Sequence, residues 1–146
     1  MRKTAKFDYG NQDASGDPGK NNGLTRAWLS SSLEISAREQ LKFLEKLVTR
    51  QLPVSPNAHD RTTRITLIGV LANGWEIHGK TGTGTPIKAD NSPGSHALGW
   101  FVGWASKGDR TLAFVRCIQE TDGASRAGLV ARDAFMRERP ALLDSL

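Results

Sequence analysis

Alternation of apolar and polar positions is clearest in the second half of the chain. In residues 97–106, ALGWFVGWAS, Leu98, Trp100, Val102 and Trp104 share one face of a strand, and residues 110–119, RTLAFVRCIQ, form a second apolar stretch of strand length. The link between them, SKGD, is a hairpin turn signal, so the two strands are expected to be antiparallel neighbours. A third strand is expected over residues 75–81, where Trp75, Glu76, Ile77 and His78 alternate. Upstream the period changes. Ser36-Ala37-Arg38-Glu39 fits a capping box, with Ser36 as N-cap and Glu39 at the third helical position. Leu41, Leu44, Leu47 and Val48 then fall on one helical face with Phe43 at its edge, and the helix should stop before Pro53. Residues 58–72 fit either type: Ile65, Ile68, Leu71 and Ala72 suit a helix, while Thr62, Thr63, Ile65, Thr66, Ile68 and Val70 are β-branched. A last helix is expected over about 125–138, with Val130, Ala134 and Phe135 inward and Pro140 as its stop. Residues 10–23, GNQDASGDPGKNNG, are nearly all turn formers and read as a surface loop or local linker.

Three antiparallel strands beside helices define an α+β arrangement. Residues 1–72 are expected to be mainly helix and loop, and 73–146 to hold the strands and the C-terminal helix. A length of 146 residues suits one domain or part of a larger one, and 38% hydrophobic with 24% charged residues permits a packed core. No apolar run approaches the roughly 20 residues of a membrane span, and MRKTAKFDYG lacks the apolar core of a signal peptide. The single Cys117 excludes an intrachain disulfide and a multi-cysteine zinc site; within LAFVRCI it reads as a small core residue. His59, His78 and His96 have no metal-ligand spacing, so no metal is expected. The net charge of +5 is scattered along the chain and interleaved with acids, without a basic block or a nucleic-acid-binding motif, so nucleic acid is not an expected partner.

The chemically loaded stretch is GWEIHGKTGTGTP, residues 74–86. Two patterns overlap in it. Gly74-x-x-x-x-Gly79-Lys80-Thr81 satisfies the phosphate-binding pattern G-x-x-x-x-G-K-[ST], and Lys80-Thr81-Gly82 is also the Lys-Thr-Gly of penicillin-recognising serine enzymes. A phosphate loop needs a strand before its first glycine and a helix beginning at Lys-Thr. Here WEIH itself alternates like a strand, and GTGTPIKADNSPG after Lys80-Thr81 cannot start a helix, so nucleotide binding is set aside. On a strand, Glu76, His78 and Lys80 share one face and Trp75, Ile77 and Gly79 the other. Lys80 then offers an ammonium, Thr81 a hydroxyl, and Gly82 room for an amide-bearing ligand laid along the strand.

Further segments occur in a fixed order around this one. Tyr9-Gly10-Asn11, LTRAWLSSSLEIS with Trp28, EQLKFLEKLVTRQLPVS, HGKTGTG and GWFVGWASKGDRTLAFV resemble, in sequence order, five segments of the class D (oxacillinase-type) β-lactamases. The resemblance implies the penicillin-recognising serine enzyme fold, β-lactam molecules as partners, and a periplasmic location for the complete protein. In that family an active-site serine attacks the β-lactam carbonyl. A lysine three residues later, carrying a carbamate formed from CO₂, is the general base. By resemblance, Trp28 holds the carbamate through its indole N–H, and Lys80 and Thr81 with Gly82 bind substrate. Thr83 lends a backbone N–H to the oxyanion hole, and Tyr9, Gly10 and Asn11 build the site's scaffold. Arg126 is the best-placed arginine for the substrate carboxylate, with Arg116 as the alternative. A homodimer is left open.

The family's serine and its lysine have no counterpart here. No lysine of the chain has a serine three residues before it, and Ser-x-Val is absent too. Ser55-Pro56-Asn57 matches the Ser-x-Asn of related classes in letters but is discounted as part of a Pro-bounded turn. Both missing motifs precede Tyr-Gly-Asn in the family, so the chain reads as the C-terminal portion, without a cofactor of its own. The rival readings are a non-catalytic penicillin-binding or sensor domain of the same fold and a fragment that does not fold alone. The expected outcome for the 146-residue chain, incubated with a reporter penicillin, is no turnover and no acyl adduct by intact mass. A covalent adduct would show that a nucleophile lies within these residues.

Overall fold

In the computed structural model, residues 7–86, 92, 94–120, 126–138 and 140–145 are described. The basic residues 1–6, the loop around Lys88 and the turn expected through 121–125 lie outside them. The elements are α1 (Gly23–Arg26), α2 (Ala37–Val48), α3 (Pro56–Thr66), β1 (Leu67–Val70), β2 (Glu76–Gly84), β3 (Ala97–Lys107), β4 (Arg110–Glu120), α4 (Ala127–Glu138) and α5 (Pro140–Ser145). The strands form one antiparallel sheet in the order β1-β2-β3-β4, confirming the α+β class.

Local chemistry explains the helix ends. Ser36 Oγ accepts from Glu39 N while Glu39 Oε2 accepts from Ser36 N at 2.8 Å, the reciprocal capping box. α2 ends at Val48, before Pro53 acts: Arg50 takes φ +58°, Arg50 N–H donates to Leu47 O at 3.1 Å and Gln51 N–H to Lys46 O at 2.8 Å. That pair of bonds is a Schellman closure. The ambiguous stretch 58–72 holds both types, a helix to Thr66 and a strand from Leu67, which explains its mixed pattern. Ser55 turns out to be the N-cap of α3, its Oγ accepting from Ala58 N, with Pro56 in the first turn. The Ser-x-Asn letters are therefore a helix start.

The sheet is packed on two sides. One face carries Ile77, Phe101 and Ala105, which form the core with Trp75 and with Ala131, Phe135 and Leu143 from α4 and α5. Phe101, Phe114 and Phe135 meet ring to ring, at centroid distances of 5.0 Å (Phe101–Phe114), 5.4 Å (Phe101–Phe135) and 4.0 Å (Phe114–Phe135). On the other face α2 packs against β4 and α3 against β2. There the His78 ring stacks on Trp104 at 4.7 Å, and its Nδ1–H donates to Thr63 O at 3.0 Å.

Two sequence expectations need correction, for Val130 and Cys117, and that for Pro140 is extended. Val130 is 41% exposed, and Ala131 takes the inward place beside Ala134 and Phe135. Pro140 does end the preceding helix, yet it also opens α5. Cys117 is exposed rather than a core residue. The period-two alternation of β4 gives Leu112, Phe114 and Ile118 to the core and turns Cys117 to the opposite face, paired with Trp100 of β3. Enough protein still surrounds the sulfur that burial pushes its pKa up.

Asp144 of α5 ties the C-terminus to the sheet. Trp75 Nε1–H donates to it at 2.9 Å and Asn73 Nδ2 at 3.0 Å, with Lys107 Nζ at 3.5 Å. The Trp75 hydrogen bond, then that of Asn73, hold its carboxyl below the usual range. A carboxyl with a lower pKa folded than unfolded stabilises the protein above its unfolded pKa, near 3.9, and that contribution is lost as pH falls through the folded value. Asp144→Ala should therefore lower the urea midpoint at pH 7, with the deficit narrowing as pH drops below about 3.9. A deficit independent of pH would assign Asp144 a packing role instead.

Candidate active site

β2 has two unequal edges. Along its whole length, Glu76 to Gly84, it pairs with β3, from Ser106 back to Leu98. On the other side β1 reaches only Glu76, Ile77 and His78. From Gly79 to Gly84 no described strand covers that edge, so Lys80, Thr81, Gly82 and Thr83 sit where an extended ligand could pair with backbone. The uninterrupted strand also disposes of the phosphate-loop reading, which needs a helix after Lys80.

Lys80 is exposed, and its Nζ donates to the neighbouring Thr81 O at 2.6 Å. Past it the strand lines a cleft of about 430 Å³ with Gly82, Thr83 and Gly84. Leu98 and Trp100 of β3 continue that wall, and Trp28, Ser30, Ser31, Leu33, Glu34 and Pro86 complete it. Trp28 is 59% exposed there, so the structure brings it to the same cleft as Gly82 and Thr83 from 54 and 55 positions away in sequence.

The segment that carries Trp28 has little hydrophobic burial of its own beyond Ala27, so polar bonds hold it. Asp17 is the centre: its carboxylate accepts from Ser31 Oγ at 2.7 Å and Asn22 Nδ2 at 2.8 Å, and pairs with Arg26 at 3.5 Å. The Asn22 hydrogen bond, followed by that of Ser31, depresses its pKa. Asn11 bonds three ways: its Nδ2 donates to Ser32 O at 2.8 Å, and its Oδ1 accepts from Glu34 N at 3.2 Å and Asp13 N at 3.0 Å. Gly10 stands at φ +56° against Glu34, where a Cβ would strike the Glu34 carbonyl. Tyr9 Oη donates to Gln40 Oε1 of α2 at 2.6 Å, and burial pushes its phenol pKa up. Tyr9, Gly10 and Asn11 thus brace the stretch between Trp28 and α2.

The two arginines part company. Arg126 is exposed at the start of α4, beside the open end of β2, where Gly128 N–H meets Thr83 Oγ1 at 2.9 Å. Arg116 pairs with Glu138 at 2.8 Å, at the opposite end of the same 12-residue helix, roughly 18 Å along its axis. Sequence reasoning passed over Asp17, Gln40 and Gly128, because their partners are distant in sequence; only the turn-rich composition around Asp17 hinted at a built loop. Among the described residues no group of three or more His, Cys, Asp or Glu is placed to hold a metal ion, and no helix is long and apolar enough to cross a membrane.

β2 thus carries Lys80-Thr81-Gly82 along an open edge, with α4 packed against the strand and the Trp28 segment across the cleft. The model of the penicillin binding protein transpeptidase domain matches residues 2–139, and the chain belongs to that family. Within it the chain has the class D character that its five ordered segments indicated. It is 44% identical over 141 residues to beta-lactamase OXA-9 of Klebsiella pneumoniae, covering 94% of this chain and 51% of that protein. Among solved structures, it is similar to the OXA-427 class D β-lactamase, with a TM-score of 0.90 and 46% identity over 97% of this chain and 59% of that one. It is also similar to the C-terminal domain of the Bacillus licheniformis BlaR penicillin-receptor, with a TM-score of 0.68 and 25% identity over 92% of this chain and 50% of that one. The chain spans about half the length of these curated relatives.

Asn11→Ala removes the side-chain bonds that tie Asn11 to Ser32 and Glu34, at a cost on the order of 1 kcal/mol. Limited proteolysis should then cut within residues 24–35 faster than in the wild type. Equal cleavage rates would mean that the Asp17 bonds alone hold the segment.

Proposed function

We propose that the protein is a class D serine β-lactam hydrolase to which this chain contributes the substrate-binding and oxyanion side. The open edge of β2 from Gly79 to Gly84, continuous with the cleft that Trp28 enters, carries this reading. A penicillin-type substrate laid along that edge presents its carboxylate to cations and its lactam carbonyl to backbone donors. Lys80 and Arg126 supply the cations, Thr81 and Gly82 the edge, and the Thr83 N–H one oxyanion donor. Such donors are effective because they are fixed before the charge develops.

In this reading the serine that opens the lactam and the lysine that bears the carbamate are supplied from outside these 146 residues. The carbamate supplies a general base. Trp28 fits it chemically, since an indole N–H donates without offering a competing acceptor and the residue lines the cleft. The proposed partners are β-lactam molecules and, in assembly, a second copy of the protein. The proposed compartment is the periplasm, and antibiotic resistance the proposed outcome; the β-lactamase relatives support both.

A non-catalytic β-lactam sensor is the second reading, favoured by the likeness to the BlaR penicillin-receptor domain. Turnover of a chromogenic β-lactam by the complete protein separates the two, since a sensor acylates and stalls. In that protein Lys80→Ala should cost about two to three orders of magnitude in kcat/KM, the scale of losing one electrostatic contact in a site. Lys42→Ala, on the exposed side of α2, should leave it unchanged. Equal rates for the two variants would remove Lys80 from the site.

A further inference from the structure

The first turn of α4 meets β2 backbone to backbone. A Cβ on Gly128 would run into the Gly82 carbonyl oxygen, and one on Gly99 into that of Ala127. Arg126 stands in the N-cap position: its carbonyl accepts from Leu129 N at 2.9 Å and Val130 N at 3.1 Å. An N-cap side chain ordinarily supplies an oxygen to the amide two or three residues on. Arginine has donors only, so Arg126 leaves the Gly128 amide without a local cap. The missing acceptor comes from another element, as Gly128 N–H donates to Thr83 Oγ1 at 2.9 Å.

We propose that Thr83 caps α4 in trans and is thereby a positioning residue for substrate, holding Arg126 in register with Lys80. The chain paths are short. Lys80 lies three residues before Thr83 on a strand that β3 pairs throughout, and Arg126 lies two residues before Gly128. One hydrogen bond therefore ties the strand that carries Lys80 to the helix start that carries Arg126. A cation at the N-terminus of a helix is also disfavoured by the helix dipole, so this turn has reason to move off when its bond to the strand is lost. Because no Cβ separates Gly128 from Gly82, any such movement reaches the Gly82-Thr83 backbone directly. The positioning role rests on the proposed reading of Lys80 and Arg126 as carboxylate partners; the cap itself does not.

Two variants of the 146-residue chain test this. Thr83→Val keeps the shape and removes the acceptor, whereas Thr83→Ser keeps the acceptor. In Thr83→Val the Gly128 amide should exchange with solvent about tenfold faster, the scale of losing a cap, while β3 and β4 amides keep their chemical shifts. Benzylpenicillin, titrated against backbone amide shifts, should bind about fivefold more weakly to Thr83→Val, the scale of one ordinary hydrogen bond. Thr83→Ser should stay close to wild type in both measurements. Unchanged Gly128 exchange in Thr83→Val overturns the cap. Faster exchange with unaltered affinity overturns the positioning role. If benzylpenicillin shifts no amide of the wild-type chain, the substrate reading and the positioning role fall together, and the exchange rates alone decide the cap.

Discussion

The pairing of β2 with β3 is the constraint on which the rest depends. Once Glu76–Gly84 is zipped to Leu98–Ser106, alternation assigns every side chain of both strands to a face. Ile77, Phe101 and Ala105 must go to the core, and His78 and Trp104 to the layer under α2 and α3. Lys80 follows His78 on that second face. The stop of β1 at His78 then leaves the backbone beyond it uncovered. A slip of β2 by one residue against β3 would turn Lys80 toward the core and Ile77 away from it, at a cost no local preference could offset.

Around this rigid pair the two sides of the cleft are built by different physics. The α4 side is held by close approach, with glycines at 99 and 128 letting backbone touch backbone and a phenylalanine cluster fixing the helix farther along. The Trp28 side is held by polar bonds from Asp17 and Asn11 in a segment with little apolar burial. Leu24 and Leu29 of that segment are exposed together with Trp28. A cleft with one wall packed and the other hydrogen-bonded combines fixed donors with a side that ligand or neighbouring chain can adjust.

The family relationship and the geometry point in the same direction by separate routes. Similarity to class D β-lactamases and to a penicillin-receptor domain identifies what kind of ligand the fold handles elsewhere. The open strand edge, the exposed lysine and the capped helix N-terminus are the features on which the proposed reading of an extended, anionic amide rests. Hydrolysis and mere acylation differ in the fate of the acyl group, the step at which the two proposed readings part.

The sequence by itself determined the elements whose signals are local. The capping box at Ser36, the two-residue turn after Lys107 and the alternation of 97–106 are legible because the atoms that satisfy them lie within a few residues. The order of the five family segments likewise needed no coordinates. Tertiary structure alone decided which face of a strand is the core, so Cys117 in its apolar run emerged exposed and Val130 yielded its place to Ala131. It also decided the split of 58–72, where helix and strand propensities balance and packing on β2 breaks the tie. It also set Arg126 and Arg116 at opposite ends of α4, and it gave the Gly128 amide, which Arg126 leaves uncapped, to Thr83. Those pairings join residues 22 to 45 positions apart, and a hydrogen bond carries no trace in sequence of the distance its partners travelled to meet.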